Sequence, residues 1–208
     1  MRTPLLLAAL LAAVPLSAAP PPPSVWTVGP IVNGRSVSRG LPLRPERGPG
    51  HSIAVRIPTA PGSLHGLTLV PGDLSRARRL VLRYRVETAP GVWVEPRTGP
   101  GLPPLITFYL QRRGDNWSAR GPFETYRWYA GFATQTLSPG GERTMVAPLD
   151  GNWTAVLTSS ARSSPQAFRA ALRDAGAVGI VLGGGDGLGH GIQASGPARL
   201  VITEFRIE

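Results

Sequence analysis

The stretch Leu80-Val81-Leu82-Arg83-Tyr84-Arg85-Val86-Glu87 decides the fold. Leu80, Leu82, Tyr84 and Val86 fall on one face of an extended chain, and Arg83, Arg85 and Glu87 fall on the other. A period of two residues belongs to a strand buried on one face, because successive side chains point to opposite sides of a sheet. The pattern recurs at 105–112, where Ile106, Phe108 and Leu110 share a face. It recurs again at 199–208, where Val201, Thr203, Phe205 and Ile207 stand opposite Glu204, Arg206 and Glu208. The aromatic-rich segment 123–131 is a fourth strand. Weaker strand signals lie at 24–28, 52–57, 132–137, 143–147, 153–157 and 178–182. Short strands punctuated by Gly and Pro predict a mostly-β, two-layer antiparallel sandwich.

One helix interrupts the strands. Ser164 is placed to cap it and Pro165 takes its first position. Phe168, Ala171, Leu172 and Ala175 then recur at helical spacing before Gly176 ends it. The Gly/Pro-rich segments 29–50 and 88–104 read as long loops, where function tends to sit.

The chain opens with Met1-Arg2-Thr3-Pro4, an almost wholly apolar run from Leu5 to Leu16, and then Ser17-Ala18-Ala19. A short basic start, an apolar run and small residues are the layout of a cleaved secretory signal. The run is shorter than the roughly 20 residues a membrane helix needs. The expected organisation is therefore a signal peptide over 1–19, a stiff Pro-rich spacer over 20–23, and one sandwich domain over 24–208. No integral membrane segment is expected after the signal is removed, and the expected location is periplasmic or secreted. With no cysteine, the fold holds by packing, and a lipid-modified cysteine anchor is excluded.

The net charge is +10, or +9 once Arg2 leaves, and all 22 basic residues are arginine. They are scattered along the chain, whereas nucleic-acid binding calls for a clustered basic face. No nucleic-acid partner is expected.

From Tyr126 onward the order of motifs is informative. Tyr126-Arg127-Trp128-Tyr129 comes first, then 148–154 ending in Trp153-Thr154, the helix, the glycine-rich run 183–191, and a closing strand that ends Phe205-Arg206-Ile207. This order resembles the galactose-binding-like jelly-roll domains, a superfamily containing many carbohydrate-binding modules. The resemblance covers about the last 85 residues by motif and the first half by strand pattern. It implies sugar-stacking aromatics on a sheet face or on loops, with Tyr126, Trp128, Tyr129 and Trp153 as candidates.

The residues also suggest sugar recognition directly, since a pyranose lays its C–H groups flat on an aromatic ring. Candidate ligand-binding residues are Trp93, Trp117, Tyr126, Arg127, Trp128, Tyr129 and Trp153, with Asp115, Asn116 and Glu124 as polar neighbours. Tyr126 and Trp128 share one side of their strand and Arg127 and Tyr129 the other, so one pair belongs to the core. The glycine-rich run 183–191 is no phosphate loop, because the chain has no lysine. It reads as a tight turn in which glycines allow positive φ. His190 sits in it with no second histidine at metal-ligand spacing. Asp186, Asp150 and Asn152 offer oxygens of the kind calcium takes, without EF-hand spacing. No cofactor is expected, and a structural calcium is the one alternative.

No Gly-x-Ser-x-Gly or His-Glu-x-x-His is present. No spacing pairs the carboxyls of Glu95, Asp115, Glu124 and Asp150 as a glycosidase requires. Asn116-Trp117-Ser118 and Asn152-Trp153-Thr154 match the glycosylation pattern; in a chain expected to be bacterial, both matches read as chance. The expected function is a non-catalytic module that recognises an envelope or environmental glycan. The alternatives are an envelope assembly protein whose partner is another protein, and a glycan hydrolase or lyase.

Overall fold

The computed structural model describes residues 19–208 apart from Thr158 and Asp186. The signal-like run therefore lies outside the described residues. Two antiparallel sheets pack face to face as a jelly-roll-like sandwich. The larger runs in the order Trp26–Gly29, Gly66–Leu69, Ala175–Gly183, Leu105–Arg112, Arg127–Tyr129, Thr154–Ala155, with Gln135–Thr136 added beside the start of Leu105–Arg112. The smaller runs Arg143–Pro148, Arg79–Thr88, Ala198–Ile207, Ile53–Ile57, Glu46–Arg47.

The alternation read at 80–87 is the alternation observed. Leu80, Leu82, Tyr84 and Val86 are buried, and they meet Ile106, Phe108, Leu110, Val178 and Ile180 of the larger sheet in one core. Arg83, Arg85 and Glu87 face outward in ion pairs. Arg83 reaches Glu142 at 2.9 Å, and Arg85 reaches Glu87 at 2.7 Å. Arg79, Arg199 and Arg206 are paired with glutamates on the same sheet.

The last strand departs from its sequence reading. A bulge between Ile202 and Glu204 shifts its register against Arg79–Thr88. Leu200 and Ile202 thus lie opposite Val86 and Tyr84, while Phe205 and Ile207 lie opposite Leu82 and Leu80. Val201 is consequently on the face away from the core, opposite Arg85, although the pattern had grouped it with Phe205.

Three tryptophans, Trp26, Trp128 and Trp153, are fully buried. A buried indole N–H needs an acceptor. Each finds a nearby backbone carbonyl: Pro21 O at 3.0 Å, Thr125 O at 2.8 Å and Pro148 O at 2.9 Å. The first of these bonds ties the proline segment 20–23 to the sandwich, and Pro20 is itself buried. That segment lies on the domain instead of standing off it as a spacer.

The helix spans Pro165–Arg173 and buries Phe168, Ala171 and Leu172. Phe168 packs edge-on to Trp128 at 4.9 Å and stacks on Trp153 at 5.8 Å. Two details of its boundaries differ from expectation. Ser164 occupies the cap position but its side chain makes no capping bond. Asp174 ends the helix, and Gly176 belongs to the following strand, where a Cβ would crowd Arg113 backbone.

The segment 123–131 divides into a 3-10 turn, Gly121–Thr125, and a three-residue strand, Arg127–Tyr129. The strand Gly66–Leu69 carried no alternation signal because it is buried on both faces. The predicted long loops hold the hairpin Ile31–Val32 with Arg35–Ser36, and the strand Val94–Pro96 paired to Ile192–Ala194.

Candidate functional site

The larger sheet has an outer face, turned away from the core, and its register sets the residues on it. Tyr129 lies opposite Tyr109, Tyr109 opposite Gly179, and Gly179 opposite Thr68. Here a glycine is required by close approach, since a Cβ on residue 179 would overlap the Leu67 carbonyl oxygen. The missing side chain leaves the surface beside Tyr109 low. The two tyrosine rings pack at 5.4 Å between centroids, inclined by 53°. Above this row runs a groove of about 800 Å³, within the size range of small-ligand sites.

One wall is built around Asp115, whose side chain is completely shielded from solvent. Its Oδ2 lies 2.9 Å from Arg127 Nε and accepts from Gln111 Nε2 at 2.9 Å. Its Oδ1 accepts from the Trp117 backbone N–H at 3.1 Å. The Arg127 guanidinium then sits 4.8 Å from the centre of the Trp117 ring. Trp117 pays for this position with a backbone φ of +64°, a region bulky side chains avoid. Such strain persists only where neighbours over-determine it, and it clusters at binding sites. Desolvation pushes the phenol pKa of Tyr129 up, with Arg127 opposing and Asp115 reinforcing that shift. Tyr109 is raised further for the same leading reason. Both phenols are neutral hydrogen-bonding groups at any physiological pH.

The opposite wall is the glycine-rich loop, which the fold closes around His65. His65 Nδ1 donates to Gly189 O at 2.9 Å, since a carbonyl can only accept, and Nε2 therefore accepts from Ser63 Oγ at 2.9 Å. A Cβ on Gly191 would fall 2.7 Å from the His65 ring, and this residue has φ +89°. Only glycine fits there. Burial lowers the His65 pKa, the Gly189 carbonyl opposes that shift, and Arg97, His190 and Arg39 reinforce it. His190, solitary in sequence, thus lines the same groove as His65. The Ser63–His65 pair has the spacing of a nucleophile and its base. Ser63 is wholly buried, however, so the pair pins the loop and presents no hydroxyl to a substrate.

The seven sequence candidates separate clearly. Trp117, Arg127 and Tyr129 line the groove together. Trp128 and Trp153 are core residues, reached by no ligand in the folded chain. Tyr126 is half-buried between Phe123 at 4.9 Å and the Arg112 guanidinium at 4.8 Å, away from the groove lining. Trp93 is 60% exposed and lies outside the groove, with its backbone N–H donating to Ser195 Oγ. Tyr109, His65 and Arg97 were not singled out by sequence. Tyr109 was legible in principle, because it alternates with Phe108 and so faces away from the core.

The polar neighbours also divide. Asn116 closes its own turn by accepting from Ser118 N–H, and Glu124 accepts from Ser159 Oγ. Glu95 accepts from Gln193. Among the described residues no carboxylate lines the groove, and no three His, Cys, Asp or Glu side chains gather as metal ligands. Asp186, one of the oxygens considered for calcium, lies outside the described residues. No described helix is long and apolar enough to cross a membrane.

No family model and no curated protein matches the chain. Among solved structures it is similar to CtCBM11, a carbohydrate-binding module studied in solution, at 15% identity and TM-score 0.35, over 75% of this chain and 74% of that one. It is also similar to a candidate sugar-binding protein from Bacteroides thetaiotaomicron, at 10% identity and TM-score 0.38, over 88% and 86% of the two chains.

Proposed function

We propose that the protein is a non-catalytic carbohydrate-binding domain, exported from the cytoplasm, that lays a glycan in the groove across its larger sheet. The observation that carries this reading is Trp117. A tryptophan held at positive φ, with its ring against a buried guanidinium and its backbone anchored by a buried carboxylate, is a costly arrangement with no core to fill. It fits a rigid ring kept ready beside Tyr129 for a sugar face. Arg97 and Tyr129, which line the groove, supply polar contacts that fix a saccharide's orientation.

The test is binding of the purified domain to a panel of soluble polysaccharides by affinity electrophoresis, with Trp117→Ala and Tyr129→Ala beside the unaltered protein. Retardation lost in both variants, with thermal melts unchanged, is the expected result. Retardation unchanged in both removes the groove as the site.

A further inference from the structure

We propose that the saccharide accepted by this groove is acidic, a glycan bearing uronate carboxylates, and that Arg97 is the residue that meets the carboxylate. The inference rests on the carbohydrate-binding reading above and narrows it to a substrate class.

The first support is the charge of the lining. Arg97 and Arg127 contribute guanidinium groups, and His65 and His190 contribute imidazoles. Asp115, which pairs with Arg127, is sealed beneath it with no exposure. Arg97 is exposed and makes no ion pair with another described residue. Its backbone is fixed, with its N–H donating to Gly191 O at 2.9 Å. Four arginines of the smaller sheet are paired instead. Arg79, Arg85, Arg199 and Arg206 all sit against glutamates. Among the described residues the groove is lined by two arginines and two histidines and by no carboxylate. Burial is the main reason that the His65 pKa is lowered, and the nearby charge of Arg97 adds to it.

The second support is hydrogen-bonding capacity left unused. Thr98 Oγ1, Tyr109 Oη and Arg127 Nη2 are shielded from solvent and find no partner among the described residues. All three residues line the groove. A guanidinium N–H only donates, so what Arg127 lacks is an acceptor. These atoms lie beneath the groove surface, and the exposed Arg97 is the donor that a ligand in the groove meets. A carboxylate brings two acceptor oxygens with full charge, and charge-assisted bonds are roughly twice as strong as neutral ones. A neutral sugar hydroxyl would leave the Arg97 charge unanswered.

The experiment is isothermal titration of the purified domain at physiological salt. The probes are polygalacturonate, alginate, hyaluronan and glucuronoxylan, each beside its carboxyl-reduced form, with poly-L-glutamate as a polyanion without sugar. The reduced forms keep linkage and ring stereochemistry and lose only the charge. The expected result is binding to at least one polyuronate, with affinity falling about tenfold or more on reduction, a loss of about 1.4 kcal/mol or more. Arg97→Gln should reproduce that fall, while Arg47→Gln, on the other sheet, should not. Equal binding of a reduced form leaves the carbohydrate reading standing and overturns the acidic one. Equal binding of poly-L-glutamate also overturns it, as mere polyanion attraction. Binding to neither acidic nor reduced forms overturns both.

Discussion

The carboxylate of Asp115 lies 2.9 Å from Nε of Arg127, the acid wholly shielded and the base with 9% of its side chain exposed. The same carboxylate carries the Trp117 backbone. Two candidate ligand contacts therefore depend on one acid that touches no ligand. Removing one partner of a buried ion pair costs about 3–5 kcal/mol, because the other charge is stranded. Asp115→Ala is expected to destabilise the domain by that order in urea titration. Asp115→Asn keeps an acceptor for the Trp117 N–H and should cost less. In both, glycan affinity should fall before the fold is lost. An Asp115→Ala protein of unchanged urea midpoint would show the pair to be energetically idle.

Trp117 should behave in the opposite sense. Its positive φ stores about 1–3 kcal/mol of strain, which Trp117→Gly releases, while the loss of the contact with Arg127 returns about 0.5–2 kcal/mol. The variant is expected to melt within a few degrees of the unaltered domain, and its affinity for glycan should drop tenfold or more. A melting point lowered by ten degrees would assign Trp117 to stability instead of binding.

Phe168 joins the helix to Trp128 and Trp153. Phe168→Ala leaves a cavity beneath two indoles and should cost about 3–5 kcal/mol. Affinity, measured well below the melting temperature, should stay close to that of the unaltered protein, since Phe168 does not line the groove. An affinity loss larger than the change in folded fraction would contradict the separation of core from site.

His65 links the glycine-rich wall to pH. Its pKa is lowered in the fold, chiefly by burial. The unfolded chain therefore takes up the proton first as pH falls. The stability contributed by the neutral ring is complete above the ordinary histidine value of 6.5 and is lost as pH drops below it. Protonation also removes the lone pair that accepts from Ser63 and sets a cation among Arg97, Arg39 and His190. Melting temperature should fall between pH 7 and pH 5, and His65→Gln should flatten that fall. Parallel melting curves for the two proteins across this window would place the titration elsewhere.

How far the fold was legible follows from where sheets are half-buried. The strands Arg79–Thr88 and Leu105–Arg112 present one dry and one wet or polar face, so the period of two was visible. Gly66–Leu69 is covered on both sides and showed no such period. The bulge at Thr203 reversed the facing of Val201 and Leu200, which a rigid alternation cannot express. For the site, the choice between the pairs Tyr126/Trp128 and Arg127/Tyr129 was framed by strand geometry, and burial of Trp128 decided it. His65 and the glycine-rich loop meet across 124 residues of sequence, a contact no local pattern encodes.

The five tryptophans fall into two optical populations. Trp26, Trp128 and Trp153 are sealed in the core, where acrylamide does not reach, while Trp93 and Trp117 are accessible in part. Replacing Trp93 by phenylalanine would leave the groove tryptophan as the sole quenchable emitter, so the domain would report occupancy of its own binding surface by fluorescence, without a label.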